Sequence, residues 1–358
     1  MRKVKSPTRQ LSVGAAGIAA VLLQGVSFPG GGAQAQEVCA RTVTADVVAL
    51  DQPFFYNRFG SVNPAGMIYA LRRDVVDASS GQTEAEGATL TPGNVALRED
   101  KRPRPIVLRA NIGDCLQINF ENLLAEQRAH EDQPVTRAAS IHVMGMEYAN
   151  DIGDDGGFIG ANPSSLVDPG ESATYTLRAT HEGTRLLYNQ GVMTGAEGDG
   201  GTLAFGLFGA VNILPEGAEW YRSQVSHEEL ALATVGTRPT GHPIIDYDAV
   251  YPAGHRLEGL PILNLLDGTE IVHSEVDAII TGPNRGDFPA GTYPPNPILA
   301  PNAEQPPALG AETRTREEPF REYTLIFHDE IKAVQAFPEF RDPVLGFTLA
   351  SIKDGFGI

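Results

Sequence analysis

The chain has 358 residues, of which 42% are hydrophobic and 20% charged. This composition suits one or two globular domains and excludes a disordered or collagen-like chain. Acidic residues outnumber basic ones 45 to 27, and the formal net charge of −18 opposes binding to nucleic acid or to an anionic membrane surface.

Arg2, Lys3, Lys5 and Arg9 precede an apolar run from Leu11 to Val26, and Ala33-Gln34-Ala35 fits a small-x-small cleavage site. Residues 1–35 read as a signal peptide. The rival reading is a membrane anchor, since Leu11 to Phe28 carries no charge, but its glycines, serines and Gln24 make a weak spanning helix. Cleavage leaves the remainder four charges more acidic than the whole chain, in the periplasm or outside the cell, with no membrane partner. Both cysteines, Cys39 and Cys115, lie beyond the cleavage point, so an oxidising compartment favours a disulfide between them. The alternative for Cys115, a thiolate copper ligand, has no histidine nearby in sequence to support it.

From Thr42 to Leu50 the chain is β-branched and apolar, and Met67 to Leu71 is a second short strand. Asp77 to Gly93 is polar and reads as a loop. Ile106 to Arg109 and Cys115 to Phe120 alternate apolar with polar residues around Asn111-Ile112-Gly113-Asp114, which predicts a hairpin or a sandwich corner. Ala139–Met144, Ala173–Leu177, Arg185–Tyr188 and Leu203–Leu214 continue the series. Short strands at such regular spacing predict an all-β protein, an antiparallel β-sandwich over residues 36–215.

Pro215 closes that domain. A short helix is expected near Ser226, with Glu228 and Glu229 favouring its positive end, and Leu260–Leu266 and Glu270–Ile280 read as extended pieces. From Gly282 to about Pro319 proline, glycine and alanine oppose regular pairing. Residues 216–319 are therefore expected to be an irregular connection. Strand patterning returns at Glu322–Ile331, so that residues 320–358 read as the start of a second, incomplete sandwich; a whole one takes roughly 100 residues.

Candidate ligands are sparse. The eight histidines are His130, His142, His181, His227, His242, His255, His273 and His328, and no two lie closer than twelve positions, whereas local zinc or copper motifs use much shorter gaps. Asp151, Asp154 and Asp155 offer oxygen ligands for calcium, although Gly153, Gly156 and Gly157 suit a plain exposed turn equally, and Glu197-Gly198-Asp199-Gly200-Gly201 is read the same way. Met144 and Met146 carry soft thioethers but sit at a spacing typical of strand packing.

The segment Ser140–Tyr188, with its histidine-bearing strand, Asp/Gly-rich loop, Pro169-Gly170 turn, alternating strand and closing Gly183-Thr184 piece, resembles the first cupredoxin domain of a multicopper oxidase. Trp220-Tyr221-Arg222-Ser223-Gln224-Val225 and Phe320 to Glu330 are similar to the amino-terminal part of large bacterial members, including manganese-oxidase-like ones. The resemblance implies a Greek-key cupredoxin sandwich. It also implies a family reaction in which a blue copper takes single electrons from a substrate and a three-copper cluster reduces O₂ to water. A His-x-His pair is expected where this chain has Ser140-Ile141-His142, and a second histidine pair where it has Leu187-Tyr188-Asn189-Gln190-Gly191. Only His142 matches, so it is the one candidate copper ligand, and no catalytic residue is assigned. Copper is then expected to bind outside this chain, leaving either an inactive portion of an oxidase or a non-catalytic binding or structural module.

Overall fold

The computed structural model describes residues 38–128, 130–157, 166–190, 201–283, 285, 319–328 and 333–337. The proposed leader, residues 1–35, lies outside the described residues, as does most of the Pro/Gly-rich stretch.

Strand Thr42–Asp51 is the hub of the first sheet. One edge pairs in parallel with Cys115–Asn122, from Thr42 opposite Cys115 to Ala49 opposite Asn122, and the other pairs antiparallel with Met67–Leu71. Ser172–Arg178 and Glu147–Tyr148 extend the sheet on one side, and Glu270–Ile271 and Leu266–Asp267 on the other. The second sheet runs Ile106–Asn111, Phe208–Leu214, Gly183–Tyr188, His142–Val143. Because strand side chains alternate between faces, Val43, Ala45, Val47 and Ala49 all point one way, into a core shared with Leu116, Ile118, Phe120, Leu108, Leu187 and Val211. Val48 and Leu50 point the other way and are covered by Ile68, Val75, Leu90 and Leu123.

The sandwich is all-β as expected, but its sheets are mixed rather than antiparallel. Thr42–Asp51 with Cys115–Asn122, and Ile106–Asn111 with Phe208–Leu214, are parallel pairs. Alternation in a sequence states which face a residue buries and leaves the neighbour and its direction open. The Asn111–Asp114 turn is a corner, since the strands it joins lie in different sheets. Gly113 takes a φ of +88°, a left-handed conformation that glycine adopts without a Cβ clash, and the Asp114 carboxylate accepts from the Asn111 amide and pairs with Arg41. The second sheet's strand at His142 is only two residues long, shorter than the patterning of Ala139–Met144 suggests, and the final strand begins at Phe208 rather than Leu203.

Ile106–Asn111 is buried on both faces because residues after Pro215 cover its outer side. Glu219–Arg222, Asp277–Thr281 and Phe320–Tyr323 form a third sheet. Asn111 receives a hydrogen bond from the Trp220 indole and donates to the Ala218 carbonyl, and Arg109 pairs with Glu322 at 2.8 Å. Helix His227–Leu232 starts near Ser226 as expected, and a capping box fixes it, with Ser226 and Glu229 bonding each other's amides. The described part of the 216–319 connection thus carries ordered elements and a small cluster of Tyr221, Ala233, Tyr251, Ile262 and Leu263.

Cys39 and Cys115 are disulfide-bonded across a sequence separation of 76 residues, with Cα atoms 5.5 Å apart. Constraining so long a loop in the unfolded chain is worth about 4 kcal/mol in the chain-entropy treatment. Replacing both cysteines with alanine should lower the unfolding free energy by about that amount in denaturant titration; an unchanged midpoint would contradict this.

Candidate functional site

The Ser140-Ile141-His142 triplet enters the second sheet beside Tyr188, which pairs with His142. Ser140 and Asn189 are both fully buried. Asn189 Oδ1 accepts from the Ser140 hydroxyl at 2.9 Å and from the Ser140 amide at 3.1 Å, while its Nδ2 donates to Thr202 Oγ1 at 2.7 Å. Tyr69 closes the cluster by donating to the Ser140 carbonyl at 2.5 Å. Ser140, where the resemblance expects a histidine, and Asn189, which lies in the segment where it expects a second pair, are thus hydrogen-bonded to each other.

His142 behaves differently. Its Nδ1 lies 2.5 Å from Asp155 Oδ1, and its ring meets Tyr188 edge-on at 5.4 Å. The Asp155 side chain is 1% exposed and also accepts from the Tyr148 hydroxyl at 2.8 Å and the Gly157 amide at 3.0 Å. Burial, reinforced by the Asp155 carboxylate, pushes the Tyr148 hydroxyl up to about 12. Gly156 makes this possible: a Cβ there would lie 1.9 Å from the Ile141 carbonyl oxygen, so only glycine lets the loop press against the histidine strand.

A copper cluster needs several imidazoles converging on one centre. At the positions in question this chain supplies one imidazole, with Nδ1 committed to a carboxylate, and a hydroxyl and an amide committed to each other. These residues do not fit the group. The calcium expectation also meets engaged ligands. Asp151 accepts from the Gly153 amide, Asp154 from Asn150 and the Thr176 amide, and Asp155 faces His142. No group of three or more His, Cys, Asp or Glu side chains placed to hold a metal occurs among the described residues. The loop at Glu197–Gly200 lies outside them. Met146 packs in the core, Met144 is exposed, and His328 stacks on Phe208 at 5.2 Å.

A charged cluster that escaped sequence analysis lines a cavity of about 540 Å³ under the helix. Arg222 pairs with Glu229 at 2.7 Å and Glu275 at 3.2 Å, and Tyr251 donates to Glu229 at 2.6 Å. Burial raises the Glu229 carboxyl, but Arg222, Tyr251 and the Ser226 amide outweigh it and hold it at about 2. His273 Nε2 donates to the Pro261 carbonyl, 2.8 Å away, and burial, helped by the Arg222 charge, lowers it to about 3. As an acceptor the carbonyl requires Nε2–H, which fixes the tautomer. Only the expected helix start near Ser226, with Glu229 in its first turn, touched any of this, because the partners come from four separate segments.

No protein-family model matches the chain, and no curated protein is significantly similar to it. Among solved structures, a multicopper oxidase from Pseudomonas thermotolerans is 20% identical over 48% of this chain and 29% of its own, with a TM-score of 0.29. A blue copper oxidase from Nitrosomonas europaea is 14% identical over 53% and 42%, with a TM-score of 0.30. A copper nitrite reductase from Nitrosomonas europaea is 16% identical over 49% and 42%, with a TM-score of 0.29. In each case the match spans less than half of the solved chain.

Two outcomes follow from these contacts. Asn189→Ala strips the buried Ser140 hydroxyl and amide of a shared acceptor and should cost about 1–3 kcal/mol in denaturant unfolding, with little further loss when Ser140→Ala is added; strictly additive losses would contradict the pairing. The His273 value lies below its ordinary 6.5, so acid protonates the unfolded chain first and stability falls as pH drops from 6.5 toward 3. Glu229 adds stability above 4.5 that is lost only as pH falls toward 2. His273→Gln should therefore flatten the decline in Tm between pH 6.5 and about pH 5; an unaltered profile would contradict the assignment.

Proposed function

We propose that this chain is an exported cupredoxin-like portion of a multicopper-oxidase-type protein that does not itself oxidise substrates. The observation that supports the reading is the Ser140–Asn189 hydrogen bond, which engages a position where the resemblance expects an imidazole and a residue of the segment where it expects a second histidine pair. Polar groups buried in this way are satisfied by the protein. His142, the remaining match, is oriented by Asp155 and offers only Nε2 outward.

Under this reading the family's electron transfer and O₂ reduction belong to copper centres other than the one these residues would form. Residues 36–215 are the first cupredoxin-like domain and residues 216–319 a connecting layer, whose sheet Phe320–Tyr323 joins. This arrangement is similar to the amino-terminal part of large, manganese-oxidase-like members. Export accords with the disulfide and with the basic-then-apolar leader. Among the described residues no helix is long and apolar enough to cross a membrane. The acidic balance makes nucleic acid and anionic lipid unfavourable partners. Because fold alone does not fix activity, a sandwich lacking its metal side chains serves as scaffold or binding surface.

The test is oxygen uptake by the purified chain after incubation with Cu(II), using a phenolic donor and Mn(II) in separate assays. Uptake should equal that of a copper-only blank. Saturable, copper-dependent turnover that disappears in His142→Ala would overturn the proposal.

A further inference from the structure

A second cavity, of about 490 Å³, differs in chemistry from the charged one. Five aromatic side chains, Phe54, Phe55, Tyr56, Phe205 and Phe208, line it together with His328, Ile68 and three prolines. Aromatic residues make up only 7% of the chain, so their convergence here is a concentration and not a background. The volume lies within the roughly 300–1,000 Å³ typical of small-molecule sites, which are mostly apolar with a few polar groups.

The cavity is built into the fold. Phe54 is wedged between two glycines: a Cβ on Gly66 would lie 2.6 Å from its ring and one on Gly206 would lie 2.8 Å from it. Gly206 also has a φ of +114°, and its Cβ would meet the Met67 carbonyl at 2.3 Å. These contacts fix the floor, while Phe205 is buried at 1% exposure. At the mouth, Phe55 is 67% exposed and Tyr56 41%, an unusual placement for large rings unless something covers them.

Charge selects among occupants. In a chain of net charge −18, no carboxylate lines this cavity among the described residues. Its single guanidinium, Arg104, is already neutralised by a short ion pair with Glu275, whose side chain is 6% exposed. The Gln52 amide donates to the adjacent Pro53 carbonyl. Among the described lining residues, an anion would find no uncommitted arginine and a cation no carboxylate.

We infer that the cavity framed by Phe54, Phe55, Tyr56, Phe205, Phe208 and His328 binds a small, neutral, planar aromatic molecule, held by ring stacking and apolar burial. Stacking of His328 on Phe208, with planes 21° apart, shows the geometry a bound ring would continue. This function requires no metal and stands whether or not the chain carries copper.

The experiment is a fluorescence titration of the full chain with N-phenyl-1-naphthylamine, a neutral aromatic probe, beside its anionic analogue 8-anilinonaphthalene-1-sulfonate. The neutral probe should saturate at one per chain and bind at least about tenfold more tightly than the sulfonate. Phe208→Ala should weaken it about tenfold, as expected for loss of one buried ring. Phe55→Ala, at an exposed position that puts folding at little risk, should weaken it several-fold, and Val235→Ser at an exposed apolar site elsewhere should not. Non-saturable binding, equal affinity for the two probes, or affinity unchanged in both phenylalanine variants would overturn the inference. So would concentration-dependent self-association that excludes the probe, since a second copy would then be the occupant.

Discussion

Polar groups that this sandwich takes out of water have to find partners within the chain, and three such groups organise it. Arg109 sits mid-strand in the second sheet, 2% exposed, on the face turned away from the core. It is tolerable there because Glu322 and the Glu275 carbonyl meet it at 2.8 Å each. Asn111, two residues on and on the same face, bonds Trp220 and Ala218. An uncompensated buried charge costs far more than a well-paired one returns. The layer after Pro215 is therefore tied to the sandwich by the polar needs of one strand. The third group is Ser140 with Asn189, inside the sandwich itself.

That last pair changes what the scaffold can do. A metal site holds its ligands in register by coordinating them; here the same register is held by a hydroxyl donating to an amide. Thr202 and Tyr69 complete the arrangement, so it is satisfied without an ion. His142 has been drawn into a separate network with Asp155 and Tyr148, where the carboxylate orients it. The frame of loop, turn and strand persists because it depends on apolar alternation and on Gly156, neither of which involves metal chemistry.

The same distinction explains what could be seen in the sequence. Alternation at Thr42–Leu50 and Cys115–Phe120 announced strands and the buried face. Asn111–Asp114 announced a turn, Ser226 with Glu229 a helix start, and Cys39 with Cys115 a disulfide. Each of these signals is local or rests on a simple count. The parallel pairing of Thr42–Asp51 with Cys115–Asn122 was hidden because facing residues lie more than seventy positions apart. The absence of histidine at Ser140 and over Leu187–Gly191 was visible, but the bond between Ser140 and Asn189 required tertiary structure. Nothing in the sequence joined Arg222, Glu229, Tyr251 and Glu275, or Phe54, Phe205 and His328, because each set comes from segments far apart in the chain that only the fold brings to a common cavity.

The proposal that this chain forms no copper centre of its own rests on Ser140 and Asn189 being satisfied by hydrogen bonds to each other. The most direct test is the copper content of the purified chain, measured by elemental analysis after exposure to excess Cu(II) and exhaustive dialysis. The account predicts no stoichiometric copper dependent on this site, and metal content unaffected by His142→Ala or Asn189→Ala. One or more tightly held copper ions per chain, lost in either variant, would contradict it.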